Sequence, residues 1–215
     1  MNKAEIEQLQ TTLSAYGFDP YLVVDGDYGP RTRHAVQQFQ IAWAGGRSGH
    51  YKALEPDGAY GPKSRAALED SLGDSVFYLS PHFVTTEFRD RSTGHVFVHR
   101  SLVRALETLR ASYGSIPIQS GSRTWETHKS IYARLRQRVV YGSWHLGHSV
   151  PGEPGLYASY AADISSMPVK ALWRDVRNMR LFTGIGWNRS TAYVSHLDTR
   201  YNRSASSPAI WRYNR

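Results

Sequence analysis

The stretch Asp25-Gly-Asp-Tyr-Gly-Pro-Arg-Thr-Arg-His-Ala-Val36 recurs farther along the chain as Asp57-Gly-Ala-Tyr-Gly-Pro-Lys-Ser-Arg-Ala-Ala-Leu68. In each copy Asp-Gly marks a tight turn, because glycine adopts a positive φ at no steric cost. The Gly-Pro that follows starts a helix, since proline fits the first helical position. Each copy is therefore predicted to be a turn that leads into a helix.

Apolar residues at helical spacing lie on both sides of these turns and predict three short helices. The three apolar stripes are Ile6, Leu9 and Leu13, then Val36, Phe39 and Trp43, then Ala67, Leu68 and Leu72. The first helix is predicted over residues 3–15, and Gly45 to Gly49 is predicted to be a flexible stretch. Residues 1–73 are thus predicted to form a small three-helix bundle.

The residues around the repeat also carry a family pattern. It consists of Leu9-Gln10, Gly17, Asp25-Gly26, Gly29, Thr32, Ala35-Val36, Phe39-Gln40, Asp57-Gly58 and Gly61. This pattern resembles the peptidoglycan-binding domain found at one end of many wall hydrolases, and the resemblance covers residues 1–73. It implies that bacterial peptidoglycan is a partner, although many of the same residues would also serve only to build the bundle.

The chain of 215 residues contains no cysteine, so a disulfide framework, a thiolate metal site and a cysteine nucleophile are excluded. Any metal must be held by His, Asp or Glu. No apolar run approaches the length of a membrane span, and charges stand near the start where a signal peptide is apolar. We therefore expect synthesis in the cytoplasm without a signal peptide, and no stable membrane insertion.

The formal net charge of +8 is unevenly distributed, with −2 on residues 1–73 and +10 on the remainder. Such a basic half favours a polyanionic partner, which includes nucleic acid, an anionic membrane surface and an acidic cell-wall polymer. A basic face that serves only solubility is the alternative. Nucleic-acid binding rests on charge with interleaved Trp and Tyr alone, without a reading motif, so no nucleic-acid partner is expected.

After Asp74 the chain mixes helical and strand patterns, with Ser80-Pro81 as the boundary of a second domain over residues 80–215. An amphipathic helix is predicted around residues 102–110. The other predicted elements are strands over 115–119, 160–164 and 192–197, and a helix from Val169 to Met179 with Trp173 and Val176 facing inward. The fold class is therefore predicted to be α+β, with an antiparallel sheet in the C-terminal domain.

Two ionisable side chains stand out on these strands, Asp163 in Ala-Ala-Asp-Ile and His196 in Ser-His-Leu. A carboxylate in such an apolar context is costly to bury unpaired, so it requires a cation or several donors. A metal ion satisfies this requirement. A hydrogen-bonded arginine or backbone amides would satisfy it equally well.

Four short sequence blocks in the second half of the chain carry a resemblance to a second known family. They are the helix Leu102 to Arg110, Ile118-Gln-Ser-Gly-Ser-Arg123, Ala161-Ala-Asp-Ile164, and Gly184-Ile-Gly-Trp187 followed by His196-Leu-Asp-Thr-Arg200. Together they resemble the zinc D-alanyl-D-alanine carboxypeptidase family and related cell-wall endopeptidases, over residues 80–215. The resemblance implies a zinc held by two His and one Asp, with an open position for water. The resemblance implies that Asp163 and His196 are two of the zinc ligands. It also implies that Arg123 orients the substrate or stabilises the oxyanion.

The first zinc ligand departs from the family pattern, because Leu156 occupies its position seven residues before Asp163. His145 is predicted instead, since Ser143-Trp-His145-Leu retains the family context of that ligand. His148 is the alternative. The stretch from 152 to 155 reads as an inserted loop that would restore the geometry across the longer segment between His145 and Asp163.

The catalytic base also departs from the pattern. Tyr193 stands where some relatives have an acidic residue three before the last histidine, which leaves Asp198 or Glu153 as the base. Asp198 would alternatively orient His196 or pair with Arg200. The predicted site is thus a zinc held by His145, Asp163 and His196, with Arg123 and Asp198 as catalytic residues.

These features together predict a modular peptidoglycan hydrolase that resembles a bacteriophage endolysin and cuts a stem-peptide or cross-bridge bond. It is expected to be a monomer that reaches the cell wall after holin-type release or as a virion component. The rival hypothesis is a non-catalytic wall-binding protein with a metal-free peptidase fold, and Leu156 is the residue that supports it.

Overall fold

The computed structural model describes residues 1–165 and 170–213. Helix α1 (Lys3–Ala15) begins with a capping box, in which Asn2 and Glu5 each accept a hydrogen bond from the other's backbone N–H. Helices α2 (Pro30–Ala42) and α3 (Pro62–Ser71) each begin at the proline of the repeated motif. The predicted small N-terminal helical domain is confirmed.

A buried glutamine fastens the first Asp-Gly turn to the preceding helix. The side-chain amide of Gln10 donates to Asp25 Oδ1 at 2.8 Å and to Thr32 Oγ1 at 3.0 Å. Its carbonyl oxygen accepts from the backbone N–H of Gly26 at 3.0 Å. Because Thr32 lies on α2, this one side chain joins α1, the turn and α2.

Gln40 repeats this arrangement for the second turn. Its amide donates to Asp57 Oδ1 and Ser64 Oγ, both at 3.0 Å, and its carbonyl accepts from Gly58 N–H at 2.9 Å. Gln40 is 1% exposed, so water cannot replace these partners when the amide is removed. The repeat in sequence is therefore a repeat of one hydrogen-bonded unit.

Replacing Gln40 with methionine, which keeps the volume but removes both polar groups, should lower the free energy of unfolding by about 2–4 kcal/mol. The neighbouring Gln37 is a matched control, since it is half-buried and its amide donates to Pro56 O at 3.2 Å. Urea denaturation of both variants measures the difference. Equal losses in the two variants would contradict this account of the turn.

The remaining chain contains both short strands and helices, in agreement with the predicted α+β class. The elements are β1 (Tyr78–Ser80), β2 (Phe83–Val84), α4 (Thr85–Phe88), α5 (Arg100–Tyr113), β3 (Ile118–Ser120), α6 (Trp125–Arg134), β4 (His148–Val150), β5 (Glu153–Ala158), β6 (Ala161–Ile164), α7 (Trp173–Asn178), β7 (Gly184–Asn188), β8 (Val194–Asp198) and β9 (Ala209–Tyr213). Within the described ranges no helix is long and apolar enough to cross a lipid bilayer.

A five-stranded sheet with the order β3-β6-β8-β7-β9 is the centre of this second part. The pairs β3–β6, β6–β8 and β8–β7 are antiparallel, whereas β9 runs parallel to β7. The sheet is therefore largely antiparallel, as predicted, and the parallel pair of β7 with β9 makes it mixed. Both edges of β8 are already paired, so the returning chain joins the outer edge of β7.

The predicted helix from Val169 to Met179 is shorter in the structure, where α7 spans Trp173–Asn178, and Val169 lies outside the described residues. Val176 is fully buried, and Trp173 is half-buried and packs on the hydrophobic core, as predicted. Sequence reasoning assigned no elements to α6, to the β4–β5 hairpin or to β9.

The two parts of the chain share one hydrophobic core. The ring of Phe77, which is fully buried, lies 5.1–5.8 Å from the rings of Tyr16, Phe18 and Phe39, measured between centroids. Gly17 completes the junction, because its carbonyl accepts from Val96 N–H at 2.7 Å. Gly17 has a φ of +90°, and a Cβ there would collide with a backbone carbonyl, so only glycine fits.

Backbone hydrogen bonds extend the same junction to the glycine-rich stretch after α2. The N–H groups of Ala44 and Gly46 both donate to Leu79 O, at 2.8 and 3.2 Å. The stretch Gly45 to Gly49, predicted to be flexible, is thus attached to β1. Farther along, the Arg100 guanidinium donates to the carbonyl of Leu54 at 2.7 Å.

Candidate metal centre

Three side chains from separate segments converge on the sheet. His145, Asp163 and His196 each offer one ligand atom, and these atoms all lie within 4.8 Å of one another. His196 Nδ1 is 2.8 Å from Asp163 Oδ1, and His145 Nε2 is 3.2 Å from both of these atoms. Two imidazole nitrogens and one carboxylate oxygen that face a common point form a group that could hold a metal ion.

Strand register explains the position of two of these residues. Asp163 on β6 is paired directly with His196 on β8, and residues opposite each other in an antiparallel pair project from the same face. Burial alone would raise the pKa of Asp163, but the charges and hydrogen bonds of His145 and His196 hold it well below its usual range. The carboxylate is therefore ionised and available as a ligand.

His145 reaches the cluster from the loop before β4. Its Nδ1 lies 2.7 Å from Gly121 O, so this nitrogen carries the proton and Nε2 presents its lone pair to the cluster. The segment between His145 and Asp163 includes the β4–β5 hairpin, in which His148 pairs with Ala158. The predicted inserted loop thus belongs to an ordered hairpin that packs against the rest of the protein, with Leu156 and Ala158 buried.

Neither His148, the alternative ligand, nor Leu156, which stands where the family pattern has its first ligand, belongs to the cluster. His148 Nε2 lies 2.9 Å from Ser143 O, and its ring stacks on Trp144 with the centroids 4.0 Å apart. Leu156 is buried in a small apolar cluster with Trp144 and Ile41. The hairpin therefore uses these side chains for packing.

Asp198 lies behind His196, on the side away from Asp163. Its Oδ2 is 3.3 Å from His196 Nε2, and its Oδ1 accepts from Arg200 Nε at 2.7 Å. Burial raises the pKa of this fully buried carboxyl, but the hydrogen bonds from Arg200 and His196 outweigh burial and lower it to about 2. A Cβ at Gly184 would collide with the carboxylate, so that glycine on β7 makes room for Asp198.

Arg123 is adjacent to the cluster. Its guanidinium forms an ion pair with Asp163 Oδ2 and donates to Ser120 Oγ at 2.9 Å, while its backbone N–H donates to His145 O at 2.8 Å. Arg123 is 9% exposed, so its charge is poorly screened. The other predicted base, Glu153, instead lines a separate cavity with His99 and Tyr160.

A buried carboxylate fixes the segment that follows Arg123. Asp90 accepts hydrogen bonds from the backbone N–H groups of Thr124, Ser92 and Thr93, at 2.7–2.9 Å. Burial raises its pKa, but these bonds outweigh burial and hold the pKa well below its usual range. The Arg123 loop is therefore attached to the loop before α5 through a charged group.

Sequence reasoning missed two aromatic residues of the site, Trp211 and Tyr213 on β9. The Trp211 ring lies 5.0 Å from that of His196, and Tyr213 closes over Gly186 of β7. Burial raises the pKa of Tyr213 to about 12, so it is a hydroxyl donor at neutral pH. The alternation Ile210, Trp211, Arg212, Tyr213 was the signal for this strand, and the serine-rich segment before it obscured that signal.

Comparison with known families supports the N-terminal part alone. Residues 2–43 match a family model described as "Putative peptidoglycan binding domain", and this range contains α1, the first turn and α2. No curated protein matches the chain in a sequence comparison. The match supports a peptidoglycan-binding domain, peptidoglycan as a partner and an association with the cell wall.

Proposed function

We propose that the protein is a peptidoglycan hydrolase in which His145, Asp163 and His196 hold a zinc ion. One observation carries the proposal: these three ligands converge in a chain whose residues 2–43 match a peptidoglycan-binding family. A His, His, Asp donor set leaves a fourth position open, which is the arrangement of hydrolytic zinc sites. The substrate would be a peptide bond in a stem peptide or cross-bridge, cut as a carboxypeptidase or endopeptidase.

Zinc in such a site supplies Lewis-acid polarisation of a peptide carbonyl and activation of water. The chain's own residues prepare the site for this chemistry. Gly121 O and Asp198 each hold one histidine by the ring nitrogen that faces away from the cluster. Arg123, buried beside Asp163, is suited to orient a substrate carboxylate or to stabilise the oxyanion that develops.

An endolysin-like role is part of the same proposal. A peptidoglycan-binding domain joined to a candidate peptidase site is the domain pairing of such enzymes. Residues 74–215 carry a formal charge of +10, which would attract them to anionic wall polymers. Added salt should weaken that attraction, because it screens exposed charges.

A second candidate function is non-catalytic wall binding. The observation that favours it is the ion pair between Arg123 and Asp163, which satisfies the partly buried carboxylate without a metal. Both candidates share the peptidoglycan-binding domain, so wall binding alone does not distinguish them.

Metal analysis together with a hydrolysis assay distinguishes the two. The purified protein, reconstituted with zinc and desalted, should contain about one zinc ion per chain by mass spectrometry. It should release free amino groups from purified peptidoglycan, lose this activity with a chelator and regain it with zinc. A protein that binds peptidoglycan but takes up no metal and releases no amino groups would establish the non-catalytic alternative.

A further inference from the structure

The segment between Arg123 and His145 carries positive charge without a nearby carboxylate in sequence. The Arg123 N–H donates to His145 O at 2.8 Å, so the two ends of the segment are joined. Between them lie α6, a reversal of the chain and a return toward His145. No residue from 127 to 152 is acidic. The only charges on this part of the segment are therefore positive.

Four basic side chains of the segment are exposed: Lys129, Arg134, Arg136 and Arg138. Within the described residues none of the four forms an ion pair. Exposed cations that no neighbouring carboxylate neutralises create a positive potential at the surface. This part of the surface is thus complementary to an anionic partner.

One of these cations occupies a position that favours glycine. Arg136 has a φ of +52° and follows α6, and its N–H donates to Ala133 O at 3.1 Å. The next N–H, that of Gln137, donates to Tyr132 O at 3.0 Å. These two bonds form a Schellman motif, in which the left-handed residue is usually glycine. The chain therefore carries a positive charge where glycine would fit the backbone better, and strain of this kind is concentrated at functional sites.

Exposed apolar side chains accompany the charges. Leu135 is 43% exposed, Val140 49% and Tyr141 74%. The return is fixed on α6, because Nε2 of the buried His128 lies 2.8 Å from Val140 O, and the Tyr141 ring lies 5.2 Å from that of Trp125. The three apolar side chains are therefore held in the same short stretch as the arginines.

We propose that residues 134–141, which we call the basic–apolar segment, bind the surface of an anionic lipid bilayer. Acidic headgroups attract the three arginines, and the exposed apolar side chains enter the boundary between headgroups and acyl chains. A soluble polyanion, such as nucleic acid or an acidic wall polymer, would match the arginines but leave Leu135 and Val140 in water. This binding is peripheral, and it requires neither a metal nor hydrolysis, so it is independent of the proposed function.

Co-sedimentation of the full chain with sucrose-loaded vesicles of equal parts phosphatidylglycerol and phosphatidylcholine tests the proposal. Wild type should bind these vesicles but not vesicles of phosphatidylcholine alone, and added salt should weaken the binding. Arg136→Gly should bind about fivefold more weakly, which is the effect of one basic residue near an anionic leaflet. Its melting temperature should not fall, because glycine favours the left-handed conformation.

Arg180→Gly is the matched control. Arg180 is also exposed, has a φ of +56° and follows α7, where its N–H donates to Arg177 O at 3.2 Å. The substitution removes the same charge from the same kind of helix end, outside the basic–apolar segment. Its vesicle binding should stay within about twofold of wild type, since distant exposed charges are screened. Equal weakening in the two glycine variants would overturn the proposal, because net charge alone would then explain the binding.

Leu135→Gln distinguishes a bilayer from a soluble polyanion. The position is exposed at the end of α6, and loss of a partly inserted leucine should weaken vesicle binding roughly threefold. Unchanged vesicle binding in this variant would overturn the proposal. Tighter binding of wild type to poly(glycerol phosphate) or DNA than to the vesicles, with the same dependence on Arg136, would overturn it too. So would a wild-type protein that remains in the supernatant with anionic vesicles.

Discussion

Replacing His145 with alanine should remove zinc from the reconstituted protein and abolish peptidoglycan hydrolysis. His145 Nε2 lies 3.2 Å from the facing atoms of both Asp163 and His196, so its loss leaves two protein ligands. Two ligands seldom hold zinc tightly, and we expect affinity to fall more than about 100-fold, beyond the 10–100-fold of an outer-sphere change. Zinc content after desalting and the release of free amino groups measure the two effects.

His148→Ala is the matched control for this prediction. His148 is three residues after His145, its Nε2 hydrogen-bonds with Ser143 O, and its ring stacks on Trp144. Its loss should therefore leave the zinc content unchanged. His196→Ala should behave like His145→Ala. Zinc loss in the His148 variant with retention in the His145 variant would contradict the geometry and assign the ligand to the hairpin.

Replacing Asp198 with alanine should lower both stability and zinc affinity. The substitution leaves the Arg200 guanidinium without its buried partner, and we expect a loss of about 3–5 kcal/mol in the free energy of unfolding. It also releases Nε2 of His196, and the loss of such a second partner typically weakens metal binding 10–100-fold. Urea denaturation and competitive zinc titration measure these effects, with the exposed Asp175→Ala as the control.

Asp198→Asn distinguishes an orienting role from the predicted role as base. Asparagine keeps the shape and can still accept a hydrogen bond from His196, but it cannot take up a proton. If Asp198 orients the ligand, saturating zinc should restore most of the hydrolysis rate. A variant fully loaded with zinc that remains inactive would instead identify Asp198 as the base, as the sequence predicted.

The sequence predicted those parts of the fold in which local and long-range signals agree. Proline after glycine predicted the start of α2 and α3, and the strands that carry Asp163 and His196 were both predicted from their apolar patterns. His145 was predicted from its Ser-x-His-Leu context alone. What brings it to Asp163 is a hairpin, whose pairing of His148 with Ala158 depends on contacts that a local pattern does not contain.

The missed parts depend on tertiary structure. Strand β9 is short and joins the sheet only because the outer edge of β7 is free, so periodicity alone could not assign it. The glycines at 45 to 49 were expected to be flexible, since glycine favours loops. Their attachment comes from Leu79 O on β1, which accepts two of the neighbouring N–H groups although α3 lies between the two segments in sequence. Hydrogen bonds between segments that are distant in sequence cannot be predicted from local composition.

The position of Phe77 limits how this chain can be recombined. Exchanging a binding module at a linker assumes that the two modules fold independently and share no core. Here a cut after residue 73 would separate Phe77 from Phe18 and Phe39 and expose apolar surface on both fragments. A replacement module would need aromatic side chains that pack on Phe77 as Phe18 and Phe39 do. Exchange at this boundary therefore requires a redesigned interface as well as a new linker.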